Sequence, residues 1–147
     1  MQAVVHNPAA DGFRPAFSAV QWELFGSFLQ PLTLSKGRSL IEQGSQDRRL
    51  YWVESGSLTA HREDSKGRVR LAILGPGSVV GEAGFFSHQP RLTSVEAAAD
   101  GRIWCLTPLR YIELANRQPA LAVELCMALG SVLAARYANR PRRVAIA

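Results

Sequence analysis

The sequence predicts a mainly β domain, a small barrel or jelly roll, with one helix before it and two after it. Three observations carry this. Between residues 32 and 106, short apolar runs recur, cut by Ser35-Lys36-Gly37-Arg38, Gln43-Gly44-Ser45, Ser55-Gly56, Lys66-Gly67 and Gly75-Pro76-Gly77. Short strands separated by glycine turns at regular spacing are the signature of closed antiparallel folds. Residues 18–31 and 107–137 instead carry apolar positions three and four apart, bounded by capping signals. Finally, 147 residues with 47% hydrophobic and 20% charged content make one globular domain, large enough to bury a core without staples.

In chain order, residues 1–12 show no period and read as irregular, and 1–17 as a flexible N-terminal segment. Ser18 with Gln21 three residues on forms a capping box. Val20, Leu24 and Phe28, with Phe25, follow at helical spacing, and Pro31 ends the helix. Trp22 suits either that face or a neighbouring strand. Strands are expected at 32–34, 39–42, 50–54, 57–62 and 69–74. In the last, Val69, Leu71 and Ile73 alternate with Arg70 and Ala72 as in a half-buried strand. Val79-Val80 follows a tight turn, 92–99 is another strand, and Asp100-Gly101 is a hairpin signal that returns the chain along 102–106. Thr107 caps a helix with Pro108 in its first position, running to about Arg117 and broken at Gln118-Pro119. A second helix from Pro119 to Tyr137 aligns Leu121, Leu125, Ala128, Val132 and Leu133. Gly130 interrupts it, at about 1 kcal/mol relative to alanine.

The chemistry concentrates in residues 80–95, Val-Gly-Glu-Ala-Gly-Phe-Phe-Ser-His-Gln-Pro-Arg-Leu-Thr-Ser-Val. Gly81 and Gly84 permit close backbone approach to a ligand. Residues 82–87 allow one or two helical turns, whose first amides point unpaired at an anion. Pro90 ends that turn, and the Arg91 guanidinium offers a fork of donors to two phosphate oxygens. Glu82 is an acceptor for a sugar hydroxyl. Together these describe a site for a small, singly charged sugar phosphate. Phe85 and Phe86 read as core anchors for the short helix.

Gly81-Glu82, eight residues, then Arg91 and shortly Ser94-Val95 resembles the phosphate-binding cassette of the cyclic nucleotide-binding domain family. The Pro90-Arg91 step is most similar to its kinase and channel members. Ile41-Glu42-Gln43-Gly44, Val53-Glu54-Ser55-Gly56-Ser57-Leu58 and Leu74-Gly75-Pro76-Gly77 resemble its barrel landmarks, so the likeness spans about residues 20–138. It implies an eight-stranded jelly-roll β-barrel with an N-terminal helix and two C-terminal helices, occupying 18–140 ahead of a short tail at 141–147. Glu82 would take the ribose 2′-hydroxyl and Arg91 the cyclic phosphate, the amides of Ala83 and Leu92 completing the cradle beside Gly81.

The implied ligand is cAMP, possible cGMP binding being judged at residues 92 and 93. A Thr after the arginine resembles the position that favours guanine, and Leu92 has neither donor nor acceptor. Thr93 stands where the family usually has alanine. Val53, Leu58, Leu71, Ile73 and Val80 are candidates for the apolar pocket wall or for the core. Arg136 and Tyr137, late in the last helix, are candidates to cover the base by stacking or hydrogen bonding. The expected activity is reversible binding without catalysis or cofactor. The runner-up is a nucleotide-independent interaction module of the same fold, which has no reason to keep Glu82 and Arg91 in register.

Six residues after Pro141 hold no helix-turn-helix, so output is expected through a separate effector protein or self-association rather than a DNA-binding domain. The formal net charge of +5 is spread over Asp47-Arg48-Arg49, the stretch from His61 to Arg70, and Arg140, Arg142 and Arg143, with no groove-reading element. Cys105 and Cys126 read as reduced core residues of a cytoplasmic protein. His6, His61 and His88 lack the His-x-His spacing of a metal-binding jelly roll. The start of the chain has no secretory signal pattern, and no apolar run long enough for a membrane span is expected.

Overall fold

The computed structural model describes residues 1–7 and 12–139. Helices α1 (Gln2–Val5) and α2 (Ala19–Ser27) precede strands β1 (Gln30–Leu34), β2 (Ser39–Ile41), β3 (Leu50–Asp64), β4 (Gly67–Leu74) and β5 (Val79–Val80). Then come α3 (Glu82–Ser87), β6 (Ser94–Leu106), α4 (Pro108–Arg117) and α5 (Pro119–Asn139). Among the described residues, all six strands join one antiparallel sheet in the order β1-β6-β3-β4, with β2 also on β6 and β5 also on β3.

The expected strand count changes in an instructive way. Neither Ser55-Gly56 nor Asp100-Gly101 is a turn: β3 and β6 run straight through them and pair from Leu50↔Leu106 to His61↔Ser94. The two glycines lie against each other's strands, where the register shifts. A Cβ on Gly56 would stand 2.6 Å from the Asp100 carbonyl oxygen, and one on Gly101 2.1 Å from that of Ser55. Only glycine allows this approach, so the pair marks a bulge at which both long strands bend together. Counted by their halves, β3 and β6 supply the two strands that separate six from the expected eight.

Alternation along the strands builds two cores on opposite faces of one sheet. Tyr51, Val53, Leu58, Val80, Val95, Ile103 and Cys105 fill the barrel with Leu34 and Ile41. Leu50, Trp52, Val79 and Leu106 face outward and are covered by helices through Phe25, Phe28, Phe85, Leu114, Leu121, Leu125 and Leu129. Of the suggested wall residues, Val53, Leu58 and Val80 are therefore barrel core. Leu71 is half-buried and Ile73 exposed.

The capping box of α2 is formed: Gln21 N–H donates to Ser18 Oγ (3.1 Å) and Ser18 N–H to Gln21 Oε1 (2.9 Å). Val20 is exposed, while Phe25 and Phe28 are buried. Residues 1–7, read above as irregular, contain α1, whose single turn is too short to show a period. Its Val4 is fully buried, and Phe13 packs against Trp22, Phe25 and Trp52. Glu54 accepts from Ala3 N–H (3.0 Å) and from the Trp104 indole (3.2 Å). Burial pushes the Glu54 carboxyl up, but these bonds and the Met1 ammonium more than offset it and leave its pKa lowered.

Thr107 caps α4 as expected, accepting from Arg110 N–H (3.2 Å). In α5, Leu121, Leu125, Ala128, Leu129 and Val132 are buried and Leu133 half-buried. By length and composition alone Pro119–Ala138 is long and apolar enough to cross a membrane, contrary to the expectation from the sequence. One side of it is the wall of the helical core, which accounts for that apolarity. The expected boundary at 140 and tail residues Arg140, Arg142 and Arg143 lie outside the described residues.

Candidate functional site

β5 delivers the chain to Gly81, which has φ 99°. A Cβ there would lie 2.6 Å from the Arg49 carbonyl oxygen and 3.0 Å from Arg91 Nη1. Both the dihedral and the crowding therefore require glycine. α3 begins at the next residue and ends at His88, a left-handed cap with φ 57°. The chain then returns through Pro90, and a loop clamps it. Arg91 N–H donates to the Ser45 carbonyl (2.7 Å) and Gly44 N–H to the Arg91 carbonyl (2.8 Å).

Arg91 is only 6% exposed and its guanidinium is held from several sides. Nη1 donates to the Gly81 carbonyl (2.8 Å) and Nη2 to that of Arg49 (2.7 Å); Asp47 Oδ2 stands 3.5 Å from Nη2. Among the described residues its buried Nε–H has no acceptor. A buried, unmatched donor on a cation is costly unless something arrives to accept from it. Around it lies a cavity of about 440 Å³, lined by Gly81, Ala83, Gly84, Arg91, Leu92 and Thr93 together with Ile41 and the turn at 87–90. Leu92 is 62% exposed and Thr93 buried. The sequence-selected residues Gly81, Ala83, Arg91, Leu92 and Thr93 thus share one hollow at the start of a helix.

Glu82 is placed differently. It is fully buried, does not line the cavity, and accepts from Arg136 Nη1 at 2.7 Å. Arg136 Nη2 donates to the Val79 carbonyl (2.7 Å). The late part of α5 is therefore tied directly to the acid that opens α3. Tyr137 is exposed and is not a lining residue.

The loop before β3 contributes what the sequence reading missed. Asp47-Arg48-Arg49 is taken there as scattered loop charge, yet Asp47 and the Arg49 carbonyl hold the Arg91 guanidinium. Arg48 donates to the Phe85 carbonyl (2.9 Å) and lies over the Phe85 ring, propping α3. The available signal was a mixed-charge triplet just ahead of a buried strand; which arginine it served depends on contacts more than 35 residues away. Phe85 is buried as expected, and Phe86 is exposed. His61 is buried with Nδ1 3.0 Å from Arg68 Nη2. Among the described residues no cluster of three His, Cys, Asp or Glu side chains suits a metal ion.

Gly84 gives a direct test of the hollow's geometry. A Cβ there would meet Arg91 Nη1 at 2.8 Å, Cδ at 3.1 Å and Cζ at 3.2 Å. Gly84→Ala is expected to displace the guanidinium and weaken anion binding several-fold, while the melting temperature falls by only a few degrees. Titration calorimetry beside a thermal melt separates the two effects.

Residues 31–118 match the family model described as cyclic nucleotide-binding domain. The chain belongs to that family. Among its relatives is the cyclic AMP receptor protein of Thermus thermophilus, 32% identical over 104 residues, which cover 70% of this chain and 48% of that protein. Another is a cAMP-dependent protein kinase regulatory subunit of Eremothecium gossypii, 32% identical over 83 residues, or 56% of this chain and 17% of that one. The chain thus spans about half or less of the relatives it matches. A solved cyclic nucleotide-binding domain from Methylobacillus flagellatus superposes with a TM-score of 0.81 at 20% identity, covering 93% of this chain and 75% of that one, and so shares the fold. The cavity lined from Gly81 to Thr93 lies at the stretch whose sequence resembles that family's phosphate-binding cassette.

Proposed function

We propose that this domain is a cAMP receptor whose occupancy is transmitted through the end of α5. The observation that carries this reading is Arg91, buried at a cavity wall with an unmatched Nε–H. A cyclic phosphate supplies the missing acceptor, and the first amides of α3 supply further donors to the same group. The 3.5 Å contact to Asp47 is the weakest of the guanidinium's bonds and the first that a phosphate oxygen replaces. Ala83 and Leu92 amides complete the cradle. The domain binds and releases its ligand without chemistry of its own, in the cytoplasm, and acts on a separate effector protein or on a second copy.

In this reading Glu82, buried and outside the cavity lining, becomes the ribose acceptor once the ligand draws it toward the hollow, and Arg136 already occupies one of its oxygens. A ribose 2′-hydroxyl bound there shares the carboxylate with that guanidinium, which stays in place, so the ligand has different contact energy with different positions of α5. That difference is what a ligand needs in order to shift a conformational equilibrium. The first turns of α5 are fixed in the core by Leu121, Leu125 and Leu129, so the movable part is the end that carries Arg136 and Tyr137.

Titration calorimetry with cAMP, cGMP and 2′-deoxy-cAMP tests the assignment. The expected order is cAMP first. Glu82→Ala weakens cAMP and narrows its gap to 2′-deoxy-cAMP. No saturable binding of any cyclic nucleotide would favour the nucleotide-independent module instead. Leu92 borders the cavity without a hydroxyl. Leu92→Thr is expected to raise relative cGMP affinity by about one hydrogen bond, on the order of 1 kcal/mol. A parent chain that prefers cGMP in competition would overturn the ligand choice.

A further inference from the structure

A second cleft, of about 270 Å³, opens at the β1–β2 side of the barrel and shares no lining residue with the first cavity. Arg38 and Arg49 stand at it with exposed side chains, beside Ser39, Thr107 and the Tyr51 hydroxyl, and with Cys105 as part of its wall. Among the described residues, none that lines it is acidic. We infer that this cleft is a second binding site, for a small oxyanion carrying two negative charges, such as a phosphate monoester or a dicarboxylate.

Charge, hydrogen-bond capacity and size each point to that class. Two arginines lining one hollow with no carboxylate in its wall attract a dianion; Arg38 Nη1 donates to the Thr33 carbonyl (3.1 Å), and the remaining guanidinium N–H groups of Arg38 and Arg49 are donors for its oxygens. Tyr51 is 3% exposed, and the Arg49 guanidinium donates to its hydroxyl oxygen. The hydroxyl's own hydrogen then remains for a ligand acceptor. Burial chiefly raises the Tyr51 pKa, which keeps that hydrogen in place at neutral pH. Burial likewise pushes the Cys105 thiol up to about 11, so it serves as a neutral wall rather than a nucleophile. The volume, about 270 Å³, lies at the low end of small-molecule pockets and suits a small ligand.

Arg49 also joins the two sites. Its side chain faces the cleft, while its carbonyl accepts from Arg91 Nη2 at 2.7 Å. Asp47 does not line the cleft, but its carboxylate is close enough to act on Arg49, Tyr51 and Cys105; it is held by the Arg49 N–H (2.9 Å) and stands 3.5 Å from Arg91 Nη2. An anion that draws in the Arg49 side chain acts on the same residue whose backbone holds the phosphate-binding arginine.

The test is an amide-resolved NMR titration of the full chain with inorganic phosphate and, separately, succinate, each against sodium chloride at matched ionic strength. Saturable shifts are expected at residues 38–40, 49–51 and 105–107, and the anion that saturates first separates phosphate from carboxylate recognition. In an Arg38→Gln/Arg49→Gln chain the apparent dissociation constant should rise by about tenfold or more, since two charge-assisted contacts are lost. Both residues are exposed, and a thermal melt of the variant checks that the loss of the Arg49–Tyr51 and Arg38–Thr33 bonds leaves it folded. Tyr51→Phe, which removes only the hydroxyl, should weaken binding several-fold. Shifts that grow linearly and match those of chloride would overturn the proposal. So would saturable shifts confined to residues 81–93, or a double variant that binds both anions as the parent does.

Discussion

Arg91→Ala is expected to weaken cAMP binding by about a hundredfold, the largest effect of any single change in the cavity. A hydrogen bond to a charged group contributes about 1.5–3 kcal/mol, and alanine removes the buried guanidinium that would face the phosphate. Burial strengthens the case, because at 6% exposure the arginine has little water to compete for it. The same change also costs the unliganded fold. The Gly81 and Arg49 carbonyl oxygens would lose their donors at 2.8 and 2.7 Å. A buried acceptor left unmatched costs about 1–3 kcal/mol, so a destabilisation of about 2 kcal/mol should accompany the loss of affinity. Arg91→Lys keeps the charge but not the fork and should fall between parent and alanine on both scales. Calorimetry and urea unfolding on the three chains measure this directly. An alanine variant that binds cAMP as tightly as the parent would show that the phosphate is held elsewhere.

What could be read from the sequence here was local. Gly81, Pro90 and Arg91 lie within 11 residues, and each demands a specific backbone state or donor geometry, so their order describes a hollow before any fold is known, whereas Glu82 between them is buried outside it. Ser18 with Gln21 and Thr107 with Pro108 mark helix starts for the same reason: a cap satisfies amides within its own turn. Long-range contacts were not legible. Gly56 and Gly101 each look like a turn, and only their mutual approach across β3 and β6 shows that they let two continuous strands bend. Asp47 and Arg49 look like loop charge until Arg91, more than 40 residues later, folds between them. Arg136 shows only helical spacing, and nothing in that spacing reveals that it reaches Glu82, 54 residues earlier.

The Glu82–Arg136 contact sets the second large expectation. Glu82 has no exposed surface and Arg136 Nη1 stands 2.7 Å from its Oε1, with the arginine side chain 10% exposed. Removing one member of a buried ion pair typically costs about 3–5 kcal/mol, chiefly because the remaining charge keeps its desolvation penalty. Arg136→Ala is therefore expected to destabilise the domain by about 3 kcal/mol, a large share of the roughly 5–15 kcal/mol that holds a domain folded. Neutralising the acid as well should recover part of this. The Glu82→Gln/Arg136→Ala chain is expected to be more stable than Arg136→Ala alone, with a coupling of about 1–3 kcal/mol in the double-mutant cycle. The functional consequence follows from the same bond. In the parent chain cAMP should slow hydrogen exchange over the last turns of α5. With Arg136→Ala that protection should vanish while residues 81–93 stay protected, and cAMP should dissociate faster. Protection of α5 that survives the loss of Arg136 would mean that the signal leaves the cavity by another route.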